Sequence, residues 1–388
     1  MNLLPPLALY VHVPWCVRKC PYCDFNSHGV GYGAELPEAD YLAALLADLD
    51  ADLPLAAGRE LVSIFIGGGT PSLMSADFYR RFIDELRLRL PFAEDIEITL
   101  EANPGTVEHD RFEGYRDAGI NRLSLGIQSF QSSQLAALGR IHSGGDAKHA
   151  FEQARAAGFD NINLDLMHGL PGQDPLLAQD DLHQALSLGP EHLSWYQLTL
   201  EPNTEFHSHP PTLPEEETLW NIQDEGHAKL ESAGYVRYEI SAYSRPGCEA
   251  RHNLNYWTFG DYLGIGAGAH GKLSRQGAQG LEIERRWKSR QPEAYLRRLN
   301  DPRGFVAGHQ RIPEEDLVLE FAMNALRLID GVPIDTWTRH TGRSLPILQQ
   351  QLAEARNKGL LVEDPAHLRA SPQGLLFLND LLAMVGDD

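Results

Sequence analysis

Pro14-Trp15-Cys16-Val17-Arg18-Lys19-Cys20-Pro21-Tyr22-Cys23-Asp24-Phe25 places three cysteines within eight residues, directly after the apolar run Leu7–Val13. The chain has four cysteines in all, the last being Cys248. Such crowding in a long chain reads as metal binding or redox chemistry and not as a disulfide framework. Thiolates are the ligands of iron–sulfur clusters, and a closed cubane takes four of them. Three leave one iron with an open position, the feature that also separates catalytic from structural zinc sites. Pro14 and Pro21 keep the segment from closing into a regular helix. A [4Fe–4S] cluster on Cys16, Cys20 and Cys23 is the reading the spacing favours. Zinc, with Cys248 or a histidine as fourth ligand, is the competing metal.

Outward from this loop, short apolar runs alternate with amphipathic stretches. The runs Leu7–Val13, Leu61–Ile66, Ile96–Glu101, Arg122–Ile127, Asn161–Leu166 and Leu193–Leu200 read as strands. The stretches Pro37–Leu53, Ser75–Leu90, Val107–Ala118, Gly145–Ala157, Pro175–Leu188 and Pro214–Ala233 read as helices. Six strands alternating with helices predict βα units on a parallel sheet. Six units of a possible eight imply a partial, open barrel; a doubly wound sheet is the rival topology. The expected division is a barrel over 1–235, a smaller α/β extension over 236–300 and a helical, winged-helix-like unit over 301–388. In the extension, VRYEISAYS reads as one strand and HNLNYWTFGDYLGIGAGAHG as an undivided aromatic, glycine-rich segment.

The 388 residues carry a formal net charge of −21, with 43% hydrophobic and 22% charged residues. A general nucleic-acid binder would carry a basic patch, and this balance argues against one. No uncharged apolar run is long enough to predict a membrane span. The opening MNLLPPLALYVHVPWC lacks the basic flank and cleavage site of a signal peptide. Together with the cysteine usage, this predicts a cytoplasmic protein.

Ile66-Gly67-Gly68-Gly69-Thr70-Pro71 follows the second strand, where glycines let backbone approach a ligand closely. Glu101, Gln128, Arg140 and Asp165 fall at or just after the carboxyl ends of inferred strands, where barrel sites are built. Taken singly, each is equally a helix cap or a surface residue. Together the C-x-x-x-C-x-x-C loop, GGGTP, L-E-A-N-P at Glu101, G-I-Q-S-F at Gln128, L-G-R at Arg140 and N-L-D-L at Asp165 resemble radical S-adenosylmethionine proteins. They match the coproporphyrinogen dehydrogenase-like branch of that superfamily in particular. The resemblance implies an α/β fold with a partial (β/α)6 TIM-like barrel. It implies S-adenosylmethionine on the open iron, with cofactor contacts from Tyr10, Gly68, Gly69, Thr70, Glu101, Gln128, Arg140 and Asp165. The cofactors then carry the chemistry, and no catalytic acid, base or nucleophile is needed.

Within that branch, P-W-C-V-R-K-C-P-Y-C-D-F-N-S-H, F-I-G-G-G-T-P-S-L, N-L-D-L-M-H-G-L-P, L-S-W-Y-Q-L-T-L-E-P-N-T and H-N-L-N-Y-W resemble HemW-type haem chaperones over nearly the whole chain. The sister enzyme, oxygen-independent coproporphyrinogen III dehydrogenase of porphyrin biosynthesis, has a further cysteine two residues after the triad and a longer N-terminal segment. Here Phe25 stands at that position, and fifteen residues precede Cys16. Both departures favour the chaperone, without the dehydrogenase activity; that enzyme is the alternative. The chaperone resemblance implies haem as a third cofactor, with His252 of His252-Asn253-Leu254-Asn255-Tyr256-Trp257 on its iron, since histidine is a standard axial ligand. Without the family match, that segment reads as an aromatic strand with a hydrogen-bonded histidine. A haem-acceptor protein and a flavodoxin- or ferredoxin-like electron donor are the implied partners, with no nucleic acid and no integral membrane segment.

Overall fold

The computed structural model describes residues 4–105, 111–277 and 280–386. Leu7–Val13 (β1), Leu61–Gly68 (β2), Phe92–Ala102 (β3), Arg122–Gln128 (β4), Ile162–His168 (β5) and His192–Gln197 (β6) lie side by side in that order, every neighbour parallel. Helices Glu38–Ala56 (α1), Ala76–Arg89 (α2), Phe112–Asp117 (α3), Gly144–Ala156 (α4), Pro175–Leu188 (α5) and Glu216–Ser232 (α6) follow successive strands. These are the six βα units of a partial barrel. The third expected helix, Val107–Ala118, is seen over Phe112–Asp117; residues 107–110 lie outside the described residues.

Strand pleat sorts the side chains by face. Leu9, Val11, Ile64, Ile66, Ile98, Leu100, Leu123, Leu125 and Leu164 are fully buried in one apolar core with Leu45, Phe82 and Leu182 of the helices. Each such side chain contributes roughly 1.5–3 kcal/mol by leaving water. The intervening residues, among them Tyr10, Glu101, Ser124 and Asp165, face inward and make the barrel lumen polar. Local signals start and stop the helices. Ser75 caps α2 by accepting from the Phe78 amide. Ser143 and Asp146 form a reciprocal capping box on α4. Gly189, in the left-handed region, ends α5.

Residues 236–311 supply both margins of the same sheet, so the sheet runs past the expected boundary at 300. Val236–Glu239 (β7) and Ala242–Ser244 (β8) add antiparallel strands beyond β6, so the expected single strand VRYEISAYS is two strands joined by a tight turn. The HNLNYW stretch forms a helix, Arg251–Trp257 (α7), and not a strand. Asp261–Ile265 (β9) then pairs parallel to β1 on its free side, giving a seventh parallel strand. His270–Gly277 (β10), Gly280–Lys288 (β11) and Val306–Arg311 (β12) continue antiparallel from it. The whole is one 12-stranded sheet.

Beyond it, a second core gathers Phe321, Trp337, Leu352 and Leu381 with Tyr238, Phe259 and Ile283 of the extension. Short helices and a small hairpin, held by the Leu361–Ala370 bridge and by Val332–Pro333 pairing with His367–Leu368, give this unit its winged-helix character. It packs directly on α7 and the turn after it: Phe321 meets Phe259 edge-on, and the Arg327 guanidinium lies 4.4 Å from the Trp257 ring centre. Among the described residues, no helix is long and apolar enough to cross a membrane.

Candidate cluster and cofactor site

The cysteine loop leaves β1 at Pro14 and is closed by two-residue pairing of Trp15–Cys16 with His28–Gly29. The Asn26 side chain pins it to the extension, donating to the carbonyls of Ala267 and Arg290 at 2.9 and 2.8 Å. All three cysteines line one cavity of about 420 Å³ at the carboxyl ends of the parallel strands. Thr70 Oγ1 donates to Cys16 Sγ at 3.4 Å, Arg140 Nη1 lies 3.8 Å from Cys20 Sγ, and Ser27 Oγ lies 3.5 Å from Cys23 Sγ. Burial pushes the Cys16 thiol up to about 11, against the pull of the Thr70 hydroxyl. Among the described residues, no three His, Cys, Asp or Glu side chains converge on a point as one metal ion requires. A cubane asks for something else, since each thiolate takes a separate corner iron.

The glycine loop is shaped first by packing against the cysteine loop. A Cβ on Gly69 would stand 2.5 Å from the Trp15 carbonyl oxygen. One on Gly68, whose φ is +114°, would strike the His12 ring. His12 in turn holds Tyr10. Burial drives its pKa down to about 4, so the ring is neutral at physiological pH. Its Nε2 donates to the Asn26 carbonyl and its Nδ1 accepts from the Tyr10 hydroxyl, both at 2.9 Å.

Opposite the thiols stand two half-buried carboxylates. Glu101 accepts from the Gly68 amide at 3.1 Å. Asp165 accepts from Ser124 at 2.8 Å and from Asn163 at 2.9 Å. Burial, and then the charge on Asp165, push Glu101 up to about 8. Asp165 is raised by burial as well, with its hydroxyl and amide partners opposing. Among the described residues, neither is in an ion pair. Partly buried carboxylates in no ion pair favour a ligand that brings positive charge. S-adenosylmethionine carries a sulfonium and an amino group, and a [4Fe–4S] cluster on three thiolates retains an open iron, so the donor set fits both groups.

Gly68, Gly69, Thr70, Glu101, Gln128, Arg140 and Asp165 all line the cavity with the cysteines. Gln128 adopts φ +68°, a strained value for a residue with a side chain, and accepts from Tyr196 at 3.0 Å. Tyr10 sits beneath the cavity wall, its ring against Phe65. His252 is also outside the cavity. It is 2% exposed, with Nδ1 on Ser63 Oγ at 3.0 Å and its ring stacked on Phe65. Its Nε2 is buried without a partner, and burial lowers its pKa to about 3. An iron ligand offered to an incoming haem is therefore not displayed in this conformation. The expectation left out Ser27, Asn103, Ser124, Ser194 and Tyr196, which also line the cavity. Asn103 lies inside the L-E-A-N-P motif itself, alternation along the strand from Gln128 reaches Ser124, and Ser194 pairs with Asp165 across the sheet, whereas no strand pattern points to Ser27 in the cysteine loop.

Residues 10–180 match the radical SAM superfamily model, and residues 312–377 match the HemN C-terminal domain model. The chain is 49% identical to the heme chaperone HemW of Escherichia coli over 99% of both chains. It is 33% identical to that of Bacillus subtilis over 98% of this chain and 99% of the relative. Among solved structures, the coproporphyrinogen III oxidase HemN from Escherichia coli, a radical SAM enzyme, superposes with a TM-score of 0.81 at 22% identity, covering 99% of this chain and 91% of that one. This last likeness speaks for the fold.

Proposed function

Since the chain belongs to the HemW family of heme chaperones within the radical SAM superfamily, we propose that it binds haem and passes it to an acceptor protein. The observation that carries this reading is the likeness to a heme chaperone over 99% of both chains. Cys16, Cys20 and Cys23 hold the cluster, and the wall of Gly68, Gly69, Thr70, Glu101, Gln128, Arg140 and Asp165 holds S-adenosylmethionine. When bound, cluster and cofactor supply one-electron chemistry. The chain's own residues bind and orient them: Glu101 and Asp165 meet positive charge, and the glycine backbone lets polar ends approach. Phe25, 61% exposed at the cavity, stands where the sister enzyme has its additional cysteine, which supports chaperone over dehydrogenase.

Haem iron is taken by His252 once α7 is lifted from the barrel floor. A flavodoxin- or ferredoxin-like protein is the electron donor, and the cytoplasm is the working compartment. The test is a paired assay on one anaerobically reconstituted sample, scoring haem binding and coproporphyrinogen III turnover. We expect saturable haem binding that His252→Ala weakens, and no protoporphyrinogen. Robust turnover without haem binding would overturn the reading.

A further inference from the structure

The cavity contains a hydrogen-bond chain whose direction is fixed by chemistry. Arg140 Nη2 lies 2.5 Å from Asn103 Oδ1. A guanidinium only donates, so the Asn103 atom facing it must be the carbonyl oxygen. The amide nitrogen of Asn103 then faces Thr70 Oγ1 at 2.8 Å and donates to it. With its oxygen accepting, Thr70 turns its hydrogen to Cys16 Sγ at 3.4 Å. Arg140 also reaches Cys20 directly. On the other side, Ser27 is buried, with its Oγ 3.5 Å from Cys23 Sγ. A metal-bound thiolate has no proton, so Ser27 must be the donor there.

We propose that Asn103 and Ser27 are positioning residues of the iron–sulfur centre: Asn103 relays the Arg140 guanidinium through Thr70 to Cys16, and Ser27 donates to Cys23. Hydrogen bonds to cluster sulfurs favour the reduced, more negative state and so raise the reduction potential. Each cysteine thereby has its own donor, from three different segments of chain. The assignment rests on the cluster reading above, and goes beyond it in naming two residues that neither ligate iron nor belong to the expected cofactor contacts.

The test is an EPR-monitored redox titration of reconstituted protein, with iron and sulfide content measured in parallel. Asn103→Ala, Thr70→Val and Ser27→Ala should each load a full cluster and shift its midpoint to lower potential. At a fixed poise the reduced-to-oxidised ratio should fall about three- to tenfold per variant, as expected for one hydrogen bond. Because Asn103 acts through Thr70, the double variant Asn103→Ala/Thr70→Val should shift no further than Thr70→Val alone, whereas Ser27→Ala should add in full. Thr70→Ser and Ser27→Thr keep a hydroxyl and should keep the wild-type midpoint. Unchanged midpoints, or full additivity of Asn103→Ala on Thr70→Val, would overturn the relay. So would variants that keep wild-type circular dichroism yet take up no cluster. A wild-type protein that loads no cluster would instead defeat the cluster reading itself.

Discussion

Glu101 shows how a single half-buried carboxyl directs a site. Before a ligand binds, its carboxyl is pushed up to about 8 by burial and then by the charge on Asp165, so it is protonated at neutral pH. A cationic ligand stabilises the ionised form, and binding must release a proton. S-adenosylmethionine affinity is therefore expected to rise between pH 6 and 7.5, with proton uptake by buffer visible in calorimetry run in two buffers. Glu101→Gln should abolish that proton release and weaken binding by roughly tenfold to a hundredfold, the loss of one charge-assisted contact. The same group acts on stability with the opposite sense. Its folded pKa lies above its unfolded value, so its contribution to folding is greatest below about pH 4.5 and is lost as pH rises through 8. Glu101→Gln should consequently raise the melting temperature of the empty protein at pH 8. Gly69 is limited by backbone, not by charge: a methyl group there meets the Trp15 carbonyl at 2.5 Å. Gly69→Ala is expected to cost about 1–3 kcal/mol in urea unfolding, the range for overpacking, and to lower the iron content after reconstitution.

Among elements, α7 departs furthest from what its residues imply in isolation. HNLNYW carries three polar and three apolar side chains in six residues, too short for helical periodicity to declare itself. Its helical state is set by tertiary contacts. His252 plugs the lumen against Ser63 and Phe65, Asn255 donates to the Asp261 carbonyl at 2.9 Å, and Trp257 lies under Arg327. The neighbouring β9 was hidden for a related reason. All five of its residues are buried, so it shows no alternation, and its glycine is demanded by a close approach to the His270 carbonyl that no local pattern announces. The six βα units, by contrast, were legible because each strand has an apolar outer face and each helix an amphipathic one. The buried state of His252 makes a specific prediction. Diethylpyrocarbonate should modify it far more slowly than the exposed His309 in the absence of haem. Haem should speed amide exchange across residues 251–257 while its iron keeps His252 from the reagent. Haem binding that depends on His252 while α7 stays fully protected would sink the idea that the helix lifts.

At the scale of the molecule, the question is what makes barrel and extension one body. The Lys288 ammonium of β11 lies 2.5 Å from Asp48 and 2.6 Å from Asp52 on α1, all three side chains at most 5% exposed. Tyr295 adds a hydrogen bond to Asp48 at 2.7 Å. None of these pairings was legible in the sequence, because Lys288 and Asp48 are 240 residues apart and lie in segments that read separately as surface-charged. Asn26 makes a second tie, from the cysteine loop to Ala267 and Arg290, so the cluster loop depends on the extension being in place. Burial raises Asp48 to about 6 even with Lys288 and Tyr295 pulling it down. Removing the lysine leaves buried Asp48 with no cation, while Asp52 keeps the Arg286 guanidinium at 3.2 Å. Lys288→Ala is therefore expected to destabilise the chain by about 3–5 kcal/mol at pH 7, the range for breaking a buried ion pair from one side. The deficit should shrink as pH falls through 6, because protonation neutralises the orphaned Asp48 carboxylate. Paired urea melts at pH 7.5 and 5.5 measure it, and a pH-independent deficit would show that the loss is one of packing. If the tie also positions the cluster loop, the same variant will bind less iron at pH 7.5, whereas Lys358→Ala, which removes an exposed pair with Glu354, will leave both stability and iron content close to wild type.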